Sequence, residues 1–122
     1  MKTAAEFMER RKHPRFAKAI DVHLRPPSRE ALVARSIDLS RNGAYCRVSE
    51  PIPVMTNLQV VFELPPGGRR KAADHVECQG VVVFQKGRVL AEYRALARLI
   101  HVRLHFGHAI FSGEDENVIQ HL

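Results

Sequence analysis

Apolar and polar residues alternate along most of this chain with a period of two. Ile20, Val22 and Leu24 interleave with Asp21 and His23 until Pro26-Pro27 stops the run, which predicts a first strand beginning near Ala17. A second strand is expected over about Ala31–Leu39, with Val33, Ile37 and Leu39 on one face and Ser36, Asp38 and Ser40 on the other. Asn42-Gly43 then signals a turn. Past it, Ala44, Cys46 and Val48 alternate with Tyr45 and Arg47 in a third strand, and Pro51 and Pro53 bracket a loop. Leu58, Val60, Phe62 and Leu64 mark a fourth, closed by Pro65-Pro66-Gly67-Gly68 and by Arg69-Arg70-Lys71, a triplet that reads as a solvated turn. Val76–Phe84 is a fifth, turned by Lys86-Gly87, and Val102, Leu104 and Phe106 alternate with Arg103 and His105 in a sixth.

Helical signals lie mainly at the two ends. Residues 3–12 are helix formers, and Pro14 disfavours helical geometry at His13, so a short N-terminal helix is expected. Ser112-Gly113-Glu114-Asp115 has the form of a capping box ahead of Val118, Ile119 and Leu122. The short C-terminal helix it predicts can persist only by docking on the rest of the fold. Leu90, Tyr93, Leu96, Ala97 and Ile100 recur at helical spacing between two strands, which leaves Arg88–Ile100 ambiguous with a long hairpin as the default. Short strands, turn signals and the lack of internal repeats point to a mainly β fold, an antiparallel barrel.

A chain of 122 residues that is 45% hydrophobic can fill one core and is too short for two ordinary domains. No apolar run approaches the roughly 18 residues of a membrane span, and residues 1–11 lack the apolar centre of a secretory signal. A cytoplasmic domain without a membrane span is the expectation. Cys46 and Cys78 belong to no C-x-x-C pair and are expected as reduced core thiols. Nineteen Lys and Arg against thirteen acids give a net charge of +6, and fourteen of those cations are Arg. The guanidinium fork suits phosphates and base edges better than an ammonium does, so an anionic partner is favoured over charge kept for solubility alone.

Two constellations carry candidate chemistry. In Glu9-Arg10-Arg11-Lys12-His13-Pro14-Arg15-Phe16, Arg11 and Arg15 stand four apart on a chain stiffened by Pro14. In extended backbone each residue advances about 3.3 Å, so the two could reach around opposite sides of a phosphodiester or stack on purines. In Asp38-Leu39-Ser40-Arg41-Asn42-Gly43, the strand period sets Asp38 and Ser40 on one face. A carboxylate there can accept from guanine N1–H and N2–H₂ with a hydroxyl beside it, and Gly43 permits positive φ and lets a ligand approach the backbone. The same residue types also make ordinary turns.

Taken together, Arg11-Lys12-His13-Pro14-Arg15 and Asp38-Leu39-Ser40-Arg41-Asn42-Gly43 resemble the PilZ family, whose members carry R-x-x-x-R before the first barrel strand and [DN]-x-S-x-x-G on a later strand and turn. The resemblance implies a six-stranded antiparallel β-barrel with a short C-terminal helix, divided into a clamping segment (1–16), a barrel (17–111) and the helix (112–122). It implies a receptor for the bacterial second messenger cyclic di-GMP, with the Arg segment folding over the nucleotide and ordering as it binds. Asp38 and Ser40 would read a guanine. Arg10, immediately before the motif, implies two intercalated nucleotides per chain, since a further guanidinium can neutralise a phosphate or cap the purine stack. The expected ligand residues are Arg10, Arg11, Arg15, Asp38, Ser40 and Gly43, with a downstream protein as partner and no cofactor beyond the ligand. In place of the family's short closing hairpin, this chain carries the longer Arg88–His101 segment.

Other chemistry is poorly supported. His101, His105 and His108 are spaced like metal ligands, but Arg103 between them would repel a cation. No paired catalytic carboxylates, nucleophile elbow or Walker loop is present, so no catalytic residue is assigned. The alternative function is an Arg-rich barrel that binds RNA or single-stranded DNA. It would need aromatic stacking platforms, whereas Phe62, Phe84 and Phe106 fall on expected core faces.

Overall fold

The computed structural model describes residues 15–67, 72–89 and 98–122. The expected N-terminal helix, the Arg69-Arg70-Lys71 triplet and the Leu90–Ala97 stretch lie outside them. Six strands form: β1 (Asp21–Arg25), β2 (Leu32–Ser40), β3 (Gly43–Val48), β4 (Asn57–Leu64), β5 (Asp74–Val89) and β6 (Arg98–His105). They close into a barrel in the order β1-β2-β3-β6-β5-β4 with every pair antiparallel. Closure removes the exposed sheet edges that would otherwise invite pairing with other chains. One helix, α1 (Gly113–Gln120), follows β6.

The alternation predicted from sequence fills the barrel. Val22, Leu24, Ala44, Cys46, Leu58, Val60, Phe62, Val102 and Leu104 are all buried. Phe62 takes both Phe106 and Phe111 edge-on at ring separations of 5.6 and 5.2 Å, a favoured aromatic arrangement. Gly80 leaves the room for this cluster, since a Cβ there would sit 3.2 Å from both Phe106 and Val60. The helix forms where its cap predicts: Ser112 Oγ accepts from the Asp115 amide while the Asp115 carboxylate accepts from the Ser112 amide. Val118 and Ile119 are buried against the barrel, the packing that so short a helix requires.

Three expectations need correction. Val33 and Ile37 point to solvent, while Ala34 and Ser36 point inward, because β2 bulges between Ser36 and Asp38. The extra residue resets the two-residue frame, so Leu39 faces the core but Val33 and Ile37 do not. Lys86-Gly87 is not a turn: β5 runs through it to Val89, and Gly87 at φ 136° keeps its place opposite Ile100. Arg88 and Val89 therefore still belong to β5, paired with Leu99 and Arg98 of β6. Phe84 is exposed rather than buried, because a second register shift between Val82 and Phe84 turns it outward.

Ser36 has a role that its polarity alone does not suggest. Its hydroxyl donates to the Lys18 carbonyl at 2.6 Å and accepts from the Ile20 amide at 2.8 Å, fastening the segment before β1 to β2. Ser36→Ala is expected to cost about 1–3 kcal/mol, because both backbone groups lose a buried partner. Chemical denaturation measures the loss, and hydrogen exchange should show Ile20 as a newly unprotected amide.

Candidate ligand-binding face

The chain just after the arginine motif is sewn onto β2 next to the second motif. The Phe16 amide donates to the Leu39 carbonyl at 2.7 Å, and the Leu39 amide returns a bond to Phe16 at 2.8 Å. An antiparallel bridge of this kind sets Arg15 opposite Ser40 and Ala17 opposite Asp38. Arg15 is exposed there, and Phe16 packs against the core. Of the expected ligand residues, Arg15, Asp38, Ser40 and Gly43 thus meet on one side of the barrel. Arg10 and Arg11 lie outside the described residues.

Asp38 and Ser40 alternate with Leu39 along β2; Leu39 is directed into the core, Asp38 is part-exposed, and Ser40 is buried at 7% exposure. The turn joining β2 to β3 is Arg41-Asn42, one residue earlier than expected, and Gly43 already pairs with Ser40. Ser40 Oγ lies 3.1 Å from Asn42 Oδ1 and 3.3 Å from the Gly43 carbonyl. Gly43 does not need positive φ. Its requirement is close approach: a Cβ would stand 2.8 Å from the Leu104 carbonyl oxygen of β6.

The turn is also held from behind. Its Asn42 and Arg41 carbonyls accept from the Phe106 and Ile110 amides, each at 2.9 Å. Arg41 Nε donates to Glu116 on α1, and this pairing raises the Arg41 pKa. An acid in the first turn of a helix is favoured by the helix dipole. The motif position occupied by Arg41 thus contacts the helix, a partner that its spacing in sequence does not disclose.

Beyond Asp38 the sheet presents two outward rows. One comprises Asp38, Tyr45, Arg103 and Phe84 on β2, β3, β6 and β5; the next comprises Arg35, Arg47, His101 and Lys86 on the same strands. Arg35 is paired with Asp21 at 2.8 Å, and His101 lies against the Tyr45 ring at 5.4 Å. Aromatic and cationic side chains therefore adjoin the motif, an arrangement suited to stacked bases and phosphates.

Cys46 lies beneath this face and Cys78 on β5, and neither is in a disulfide. Burial pushes the Cys46 thiol up to about 12 from an ordinary 9.0, with the Asp38 charge adding to the rise and Arg103 opposing it. Cys78 is likewise pushed up to about 12 by burial. Neutral thiols are poor nucleophiles. The fold holds Cys46 protonated at a pH where the unfolded chain ionises it. Its contribution to stability is therefore full below about pH 9 and is lost as pH rises towards 12. Cys46→Ala should flatten that alkaline decline in denaturation midpoint. Among the described residues, no group of three or more His, Cys, Asp or Glu side chains is arranged to hold a metal ion, and no helix is long and apolar enough to cross a membrane.

Structural comparison finds the same fold in two proteins of low sequence identity. One is the Bacillus subtilis inhibitor of motility, MotI/DgrA, with 18% identity and a TM-score of 0.66, matched over 92% of this chain and 49% of that one. This chain spans about half the length of that protein. The other is the PilZ domain of Escherichia coli YcgR, solved with cyclic di-GMP, with 15% identity and a TM-score of 0.57, matched over 91% of this chain and 86% of that one. Comparison with curated protein sequences finds no significant match. The PilZ domain model matches residues 9–121, a span that takes in both motifs, all six strands and α1. The chain belongs to the PilZ domain family.

Proposed function

We propose that this chain is a cytoplasmic receptor for cyclic di-GMP that acts by binding rather than by catalysis. The observation that carries the reading is the Phe16–Leu39 bridge, which sets Arg15 at the position opposite Ser40 and so joins the two motifs at one edge of the barrel. A cyclic dinucleotide carries two phosphate charges and two guanines. Arginines supply the charge-assisted bonds to the first, and Asp38 with Ser40 supplies acceptors for the second. Further support comes from the YcgR PilZ domain, which has this fold and was solved with cyclic di-GMP.

Binding is transmitted by ordering residues 10–15, on the clamp side of Phe16, and the ordered surface is what a downstream protein reads. Arg10, Arg11, Lys12, Arg15 and Lys18 crowd five cations into residues 10–18, and they repel one another until phosphates intervene. Hydrogen exchange should show the amides of residues 10–15 gaining protection on addition of cyclic di-GMP, with the Phe16 amide, bonded to Leu39, protected throughout; equal protection of residues 10–15 with and without ligand would refute the ordering step. Arg10 supports two nucleotides per chain, because two ligands bring four phosphate charges. Calorimetry is expected to give about two per chain, falling towards one in Arg10→Ala. A wild-type value of one would sink the stoichiometry while sparing the receptor.

A second reading draws on Phe84. Its exposure beside Arg103 and Lys86 gives the face a stacking surface, together with Tyr45, of the kind that a single-stranded nucleic acid would use. A short RNA is therefore the appropriate competing ligand in any titration.

A further inference from the structure

Arg103 belongs to neither sequence motif, yet the barrel brings it beside Asp38. Asp38, Tyr45 and Arg103 are cross-strand neighbours on β2, β3 and β6. All three point outward, since Leu39, Ala44, Cys46, Val102 and Leu104 fill the interior. The guanidinium carbon of Arg103 lies 4.8 Å from the centre of the Tyr45 ring, a cation–π contact that steadies the guanidinium plane. Its Nη2 is 3.6 Å from Asp38 Oδ2. That separation is an ion pair and is too long for a hydrogen bond. Charge therefore keeps the two groups side by side without spending Asp38's lone pairs or Arg103's donors on each other.

Resting on the reading of the chain as a cyclic di-GMP receptor, we propose that Arg103 is the second half of a guanine reader whose first half is Asp38. Guanine presents N1–H and N2–H₂ as donors, and next to N1 it presents the acceptors O6 and N7. A carboxylate satisfies the donors, and a guanidinium fork satisfies O6 and N7. Because O6 adjoins N1, a carboxylate and a guanidinium a few ångströms apart match the order of donors and acceptors around the base. Adenine keeps the N7 acceptor but reverses the rest: its N6 amine would face the guanidinium donors, and its N1 lone pair would face the carboxylate. The pair thus rejects the wrong base as well as holding the right one. Lysine would supply the charge at this position but not the fork.

Calorimetric titration of the full chain with cyclic di-GMP and with cyclic di-AMP tests this in wild type, Arg103→Met and Arg103→Lys, with thermal melts to establish folding. Arg103→Met should weaken cyclic di-GMP binding by about 5- to 150-fold, the range of one bidentate base contact. Cyclic di-AMP binding should change little, so the preference for guanine narrows. Arg103→Lys should recover only part of the loss, and it carries the test alone if Arg103→Met does not fold. Wild-type affinity in Arg103→Met, or full recovery of affinity and preference in Arg103→Lys, would overturn the proposal and leave the receptor reading intact. Equal losses for both nucleotides would reduce Arg103 to a source of charge and would overturn it too. A wild type that binds neither nucleotide would overturn the receptor reading and this proposal with it.

Discussion

Asp38→Ala is expected to lower affinity for cyclic di-GMP by about 1–3 kcal/mol, or roughly 5- to 150-fold, while the barrel stays folded. The carboxylate sits on the outer face of β2, and its ion pair with Arg103 is partly exposed at a separation of 3.6 Å, so its loss costs the fold little. A bound guanine, by contrast, would leave N1–H and N2–H₂ facing a methyl group. Ser40→Ala should weaken binding to a similar degree. It should also loosen the turn, because the hydroxyl bonds to Asn42 and Gly43. Calorimetry gives the affinities, and melting curves separate them from any loss of fold. If both variants bind as wild type does, Asp38 and Ser40 do not read the base.

Gly43→Ala should have the opposite profile, with stability falling first. A Cβ at 2.8 Å from the Leu104 carbonyl oxygen meets backbone, which cannot rotate away as a side chain can. Strands β3 and β6 must then separate where Gly43 pairs with His105. Overpacking of this kind costs about 1–3 kcal/mol. The same shift would displace Ser40, whose Oγ lies 3.9 Å from the added Cβ, so ligand affinity should fall with stability. Gly113→Ala is the contrasting case. Nothing lies within 4 Å of a Cβ there, and alanine favours helix by up to about 1 kcal/mol. Equal melting temperatures for Gly43→Ala and wild type would show that close approach is not what fixes glycine at this position.

What was legible in the sequence was what depends on near neighbours. The cap of α1 is set by residues three apart, and Ser112 and Asp115 form it as their spacing predicts. Strand β4 keeps an unbroken period, and Leu58, Val60, Phe62 and Leu64 all face inward. Strand β2 breaks its period at a bulge whose cause lies in pairing with β3, so Val33 and Ile37 could pass for core residues on their chemistry alone. Gly87 misled for a related reason: glycine marks turns, but it also fits a strand at positive φ.

The candidate site divides in the same way. Asp38, Ser40 and Gly43 form a local pattern, and the pattern is what makes them candidates. Their supporting residues come from elsewhere in the chain: Ser36 fastens Lys18 and Ile20, Glu116 meets Arg41, and Arg103 arrives on a strand that only barrel closure brings near. Outward alternation marked Tyr45 and Arg103 as surface residues, but register alone made them neighbours of Asp38.

Calorimetric titration of the wild-type chain with cyclic di-GMP, with GMP and a short RNA as controls, tests the central claim most directly. Saturable binding of cyclic di-GMP that weakens with added salt, as phosphate–arginine contacts require, is the predicted result, with GMP and RNA binding far more weakly. Absence of cyclic di-GMP binding, or tighter binding of the RNA, would contradict it.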